Sequence, residues 1–136
     1  MKLFFKVFVL LFCFQASAQV EKRFDDGLVK FIDKDFEKAK SAFTEVIKLD
    51  PKNYDSYYYI GVCNIKLNLI KEAIANFDKA IELKPNYAKA YYNRGVAKFH
   101  LSKNESGCLD FRKAVELQPV YDEAIKSIMQ FCKEHK

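Results

Sequence analysis

The sequence predicts an all-α solenoid of antiparallel helix pairs, and three observations carry that prediction. Gly27, Gly61 and Gly95 stand 34 residues apart, and Phe43, Phe77 and Phe111 keep the same interval. Pro51, Pro85 and Pro119 repeat it, as do Leu49, Leu83 and Leu117. Between these markers the apolar residues recur at helical spacing, as in Ala73, Phe77, Ala80 and Ile81. A fixed period of about 20–50 residues marks a repeat architecture, in which each unit buries its apolar face only against its neighbours.

Residues 1–18 read as a segment apart from the fold. Lys2 and Lys6 make a positive start, Leu3–Phe14 is an apolar run, and Ala16-Ser17-Ala18 is a small-residue cleavage site before Gln19. That order is the anatomy of a secretory signal peptide. The apolar run is too short for a spanning helix, which needs about 20 residues. The expectation is an exported protein, periplasmic in a bacterium or secreted, with no membrane insertion after cleavage. Cys13 does not read as a lipid attachment site, because bulky Leu11 and Phe12 precede it.

The mature chain, 19–136, then divides into units. Repeat 1 (20–53) pairs a helix near Val20–Ile32 with one near Phe36–Leu49, joined at Asp33-Lys34-Asp35. Repeat 2 (54–87) pairs Tyr54–Leu67 with Ile70–Leu83, and repeat 3 (88–121) pairs Ala88–Leu101 with Glu105–Leu117. Gly61 sits in mid-helix, where glycine costs about 1 kcal/mol relative to alanine. This predicts a second backbone too close for a Cβ, with Ala73 as the small residue facing it. Each Pro ends a unit, since proline cannot continue a helix and turns the preceding residue out of helical geometry. A last helix (122–135) carries Ile125, Ile128, Met129 and Cys132 on one stripe and reads as a capping helix over repeat 3. Met129 there replaces the in-phase glycine, consistent with no partner helix following.

These residues resemble the tetratricopeptide repeat (TPR), whose marks are a large residue, Leu-Gly, an aromatic, A-x3-F and a closing Pro. The middle unit matches with Tyr57, Ile60-Gly61, Ala73-x3-Phe77, Ala80 and Pro85. The first matches with Gly27, Ala39-x3-Phe43 and Pro51, and the third with Tyr91, Gly95, Phe111, Ala114 and Pro119. The departures are Arg23 and Asp26 at two packing positions of the first unit, and Lys30, Asn64 and Lys98 where an aromatic is preferred. Gly107, where Ala is expected, predicts a weak start to the last second helix.

Composition excludes several classes of function. Without Lys2 and Lys6 the chain has 21 basic and 18 acidic residues, a charge of +3, mixed in sign along the helices. That does not support nucleic-acid binding. There are two histidines, His100 and His135, and no nucleophile–base grouping, metal-ligand spacing or phosphate loop. The reading is of a non-enzyme with no cofactor and no metal. Asn104-Glu105-Ser106 is formally a glycosylation acceptor, or else Asn104 caps the following helix. Cys63, Cys108 and Cys132 remain after cleavage. Two states are open for them: a Cys108–Cys132 bridge pinning the cap, or three buried thiols.

The resemblance implies that first helices line a concave face. Phe24, Leu28, Tyr58, Tyr59, Val62, Tyr92, Asn93, Val96 and His100 fall there, with Lys89 beside them. Groove lining is preferred for the tyrosines, with packing between neighbouring first helices as the alternative. Some members of the family hold terminal carboxylates with a clamp of Lys, Asn, Asn, Lys and Arg. The matching positions here are Phe24, Leu28, Tyr59, Lys89 and Asn93, and only Lys89 fits. An extended or helical apolar peptide segment is therefore the expected ligand, bound by an adaptor or scaffold. The alternative is a homo-oligomer formed through the open solenoid end at Met129 and Phe131.

Overall fold

The computed structural model describes residues 2–132, with side chains from residue 17 onward, and among these the chain forms seven helices. They are α1 (Lys2–Ile32), α2 (Phe36–Leu49), α3 (Tyr54–Lys66), α4 (Ile70–Leu83), α5 (Ala88–His100), α6 (Asn104–Leu117) and α7 (Asp122–Phe131). Each helix packs on the next in sequence, and the first helices α3 and α5 also touch. This is the expected all-α solenoid.

Each unit closes around one phenylalanine. Phe43, Phe77 and Phe111 are fully or almost fully buried, and each ring lies over the in-phase glycine of the preceding helix. A Cβ on Gly61 would stand 2.6 Å from the Phe77 ring, and one on Gly27 would stand 2.7 Å from that of Phe43. The close approach is therefore a ring on a backbone. The expected facing of Gly61 by Ala73 is corrected in that respect: Ala73 is buried nearby, but Phe77 is what demands the glycine. Gly107 is a second correction. Its Cβ would meet the Phe99 ring at 2.5 Å, so this glycine admits a large side chain, and α6 starts on time at Asn104.

The turn within each unit uses one device three times. Lys34, Asn68 and Ser102, again 34 residues apart, hold left-handed backbone at φ 60, 60 and 57°. The residue after each donates its N–H back to the ending helix, as Asp35 N to Lys30 O (2.9 Å), Leu69 N to Asn64 O (2.8 Å) and Lys103 N to Lys98 O (2.9 Å). This satisfies carbonyls that a helix end leaves without partners. Turns between units end at Pro-containing bends. At the first of these, Asn53 caps α3 by accepting from Ser56 N at 2.9 Å.

Two helix starts differ from expectation. α1 begins at Lys2 rather than near Val20, because no Gly or Pro interrupts residues 1–26 and the helix runs on through the expected cleavage site. Asn104 is the first residue inside α6, with Lys103 at the cap position and no side-chain cap bond, so Asn104 does not cap. The expected end of the capping helix falls beyond the described residues.

Charge replaces apolar packing at one junction. Asp110 on α6 is buried, accepts two bonds from Arg94 (2.6 and 2.9 Å) and pairs with Lys98 at 2.7 Å. Arg94 also reaches Asp78 on α4 at 2.7 Å. Burial opposes the Arg94 charge, but the bonds it donates to the two carboxylates outweigh that and raise its pKa. In repeat 2 the position of Arg94 is taken by buried Ile60. Lys98, one departure from the TPR pattern, is thus the partner of a buried carboxylate.

Candidate peptide-binding groove

The first helices carry a continuous run of aromatic and aliphatic side chains, and its two halves differ. In the N-terminal half, Tyr59 stacks on Phe43 (centroids 5.0 Å apart, planes at 13°) and meets Phe24 and Phe31 edge-on at 5.8 and 5.4 Å. Phe24 meets Phe43 at 5.3 Å, and Leu28 packs in the same cluster. Phe24, Leu28 and Tyr59 therefore form the seam between repeats 1 and 2, each half-buried.

The middle of the strip has polar tips. Tyr58 contacts Tyr59, Phe77 and Tyr87, and packs with Val62. Its hydroxyl accepts from Asn93 Nδ2 at 3.3 Å, and the same amide donates to the Lys89 carbonyl at 2.9 Å. Burial, more than the nearby Tyr59 and Asp55, pushes the Tyr58 phenol up to about 12. The Tyr87 hydroxyl donates to Asp55 at 2.6 Å, and burial together with that carboxylate raises its pKa. Lys84 lies over the Tyr54 and Tyr87 rings at 4.4 and 4.9 Å. The Lys89 side chain is exposed beside Asn93.

The C-terminal half opens into a pocket of about 430 Å³ lined by Tyr92, Val96, Phe99, His100, Phe111, Ser127 and Phe131. Three of the expected groove residues, Tyr92, Val96 and His100, meet here. Tyr92 leans on Phe111 (5.5 Å) and Tyr121 (5.2 Å). Phe99 stacks on Phe111 (5.3 Å, 11°) and touches Phe131 of α7 at 5.5 Å. The wall contributed by α7 was not foreseen, because Phe131 read as part of the open solenoid end rather than as pocket lining. Tyr87 and Tyr121 were also missed, although their 34-residue spacing was a usable signal.

The sulfurs of Cys108 and Cys132 form a disulfide with the Cα atoms 5.6 Å apart, tying α6 to the end of α7. Cys63 is a buried thiol, and burial pushes it up to about 11. Among the described residues no three His, Cys, Asp or Glu side chains converge as metal ligands, and no helix is long and apolar enough to cross a membrane.

The family described as TPR repeat matches residues 65–102, and that described as Tetratricopeptide repeat matches residues 27–53 and 88–121. The chain carries tetratricopeptide repeats. Solved structures agree. The TPR domain of Arabidopsis OM64 is 26% identical with a TM-score of 0.83, over 85% of this chain and 96% of that one. The second TPR domain of human RPAP3, in complex with the HSP70 peptide SGPTIEEVD, is 25% identical with a TM-score of 0.81, over 88% and 99%. The TPR2B domain of yeast Sti1, in its pHsp70 complex, is 27% identical with a TM-score of 0.76, over 84% and 93%. No curated protein matches the sequence. TPR repeats in general act as non-catalytic interaction modules, and similar TPR domains bind peptides.

Proposed function

We propose that this chain is a non-catalytic adaptor that binds an apolar peptide segment of a partner along its first-helix face. The observation that carries the reading is the pocket between α5 and α7, where Tyr92, Val96 and Phe99 surround space of side-chain size. Peptide recognition by similar TPR domains supports it, but the chemistry here differs. An acidic tail such as that of SGPTIEEVD wants cationic groups. Here Phe24, Leu28 and Tyr59 fill three of the clamp positions, and all three are committed to an apolar seam. The aromatic strip suits Leu or Phe side chains, with Asn93 and the Tyr58 hydroxyl placed to bond peptide backbone.

An array of immobilised twelve-residue peptides tests this, probed with the chain and with a Tyr92→Ala/Val96→Glu variant matched in its helical melt. Capture of Leu- and Phe-containing peptides that the variant loses supports the groove. Equal capture by both places binding elsewhere.

We also propose that residues 1–18 direct export and are removed after Ala18. Ser17, Ala18 and Gln19 are exposed on α1, so a peptidase would find them accessible, and the remaining helix keeps Phe24, Gly27 and Leu28 of repeat 1. A mass beginning at Gln19 in the bacterial periplasmic fraction is the expected result; an intact Met1 in that fraction contradicts it.

One observation favours a second reading, self-association at the C-terminal end. Met129 is 83% exposed and Val120 78%, whereas the opposite end presents Arg23, Asp26 and Lys30 at in-phase packing positions. Sedimentation decides: a monomer at high micromolar concentration removes this reading.

A further inference from the structure

We propose that the Cys108–Cys132 disulfide is a redox latch for the peptide groove, holding the helix that forms one wall of its α5–α7 pocket. The inference rests on the groove reading above and adds its regulation.

Three observations converge. First, α7 supplies Ser127 and Phe131 to the pocket, opposite Tyr92, Val96, Phe99 and His100 of α5. Without α7 the pocket has a floor but only one side. Second, α7 is weakly held by everything except the bridge. Its buried residues are the small Ala124 and Ser127, with Ile125 and Ile128 only partly covered and Phe131 half exposed against Phe99, while the other units each bury a phenylalanine fully or almost so. Among the described residues no salt bridge joins it to the body, and its one side-chain hydrogen bond, Ser127 Oγ to the Glu123 carbonyl at 2.8 Å, is internal. Tyr121 at its cap position makes no cap bond, and ten residues are fewer than an isolated helix needs, about 12–15. Third, the bridge sits at the far end of α7, so it closes the whole helix onto α6.

The chemistry is a two-electron exchange with an external dithiol. One thiolate of the reductant attacks a bridge sulfur and the S–S bond breaks, leaving a mixed disulfide. The second thiol of the reductant displaces the remaining cysteine. The reductant departs as its own disulfide, and Cys108 and Cys132 carry the two hydrogens as thiols. Cys63 is buried away from the pair and takes no part. Reduction frees the C-terminal end of α7, and local opening of that helix removes Phe131 from the pocket.

The experiment is amide hydrogen exchange on the full chain, oxidised and after treatment with a dithiol, in parallel with the twelve-residue peptide array. A Cys108→Ala/Cys132→Ala variant is included to reproduce the open state without reductant. The expected result is exchange in α7 faster by at least about tenfold on reduction, with α3–α5 unchanged, and loss of captured peptides in both the reduced chain and the variant. Unchanged protection of α7 overturns the latch. Equal peptide capture in both redox states overturns the gating even if α7 opens. Should the variant fail to fold, the reduced wild type carries the same two readouts. An array that binds nothing in either state overturns the groove reading and the gating with it, and the exchange data still tell whether α7 opens.

Discussion

At the scale of single residues, the glycines and the tyrosines make sharp tests. Replacing Gly61 by alanine should gain about 1 kcal/mol of helix propensity. The new Cβ, however, meets the Phe77 ring at 2.6 Å, and overpacking costs about 1–3 kcal/mol. Gly61→Ala and Gly107→Ala should therefore both lower the melting temperature, and a rise in either would mean that the ring moves aside freely. The 34-residue spacing made Gly27, Gly61 and Gly95 legible as packing glycines, but Gly107 read as a defect because its reason, Phe99, is visible only in three dimensions. Tyr58 gives a pH test. Burial raises its phenol from 10.0 to about 12, so the fold favours the neutral ring. That contribution is complete below pH 10 and is lost as the pH climbs toward 12. Tyr58→Phe should flatten the alkaline loss of stability, followed by helical signal and tyrosinate absorbance together.

At the scale of elements, the turns and the ion cluster decide. Lys34, Asn68 and Ser102 hold left-handed backbone that only glycine adopts freely. Ser102→Gly should stabilise by up to about 1 kcal/mol in chemical denaturation, since relief of the strained φ outweighs added freedom in the unfolded chain. Removing Asp110 leaves Lys98 without its carboxylate and Arg94 with only the exposed Asp78, though both cationic side chains are only 17% exposed. Asp110→Ala should cost about 3 kcal/mol, while Asp78→Ala, at a 56% exposed carboxylate, should cost less than about 1 kcal/mol. Helix pairing and most boundaries were readable because Pro, Gly and apolar spacing act locally. The Arg94–Asp110 pair was not, since its members lie on different helices and interrupt the repeat. The long α1 was missed for another reason: a cleavage signal and a helix are compatible in the same residues, and nothing there breaks a helix.

For the whole molecule, the solenoid follows from repeating one ring-on-glycine contact, and the α5–α7 pocket follows from what α5, Phe111 and α7 leave uncovered between them. Tyr58, Tyr92, Val96 and His100 were legible as groove candidates from the TPR resemblance together with repeat phase. Phase could not separate lining from packing, so Tyr59 and Phe24 fell among them although their rings close the seam around Phe43. The pocket wall from α7 was hidden because Phe131 takes the in-phase position of buried Ala97, where phase gives no hint of an aromatic facing Phe99.

In the proposed complex a partner peptide lies along the first-helix face and ends in the α5–α7 pocket. Amide and methyl chemical-shift mapping with the tightest peptide from the array tests it most directly. The expected shifts concentrate at Tyr58, Val62, Tyr92, Asn93, Val96, His100 and Phe131. Shifts confined to the outer helices, at Ala75 on α4 or Leu109 on α6, would contradict it.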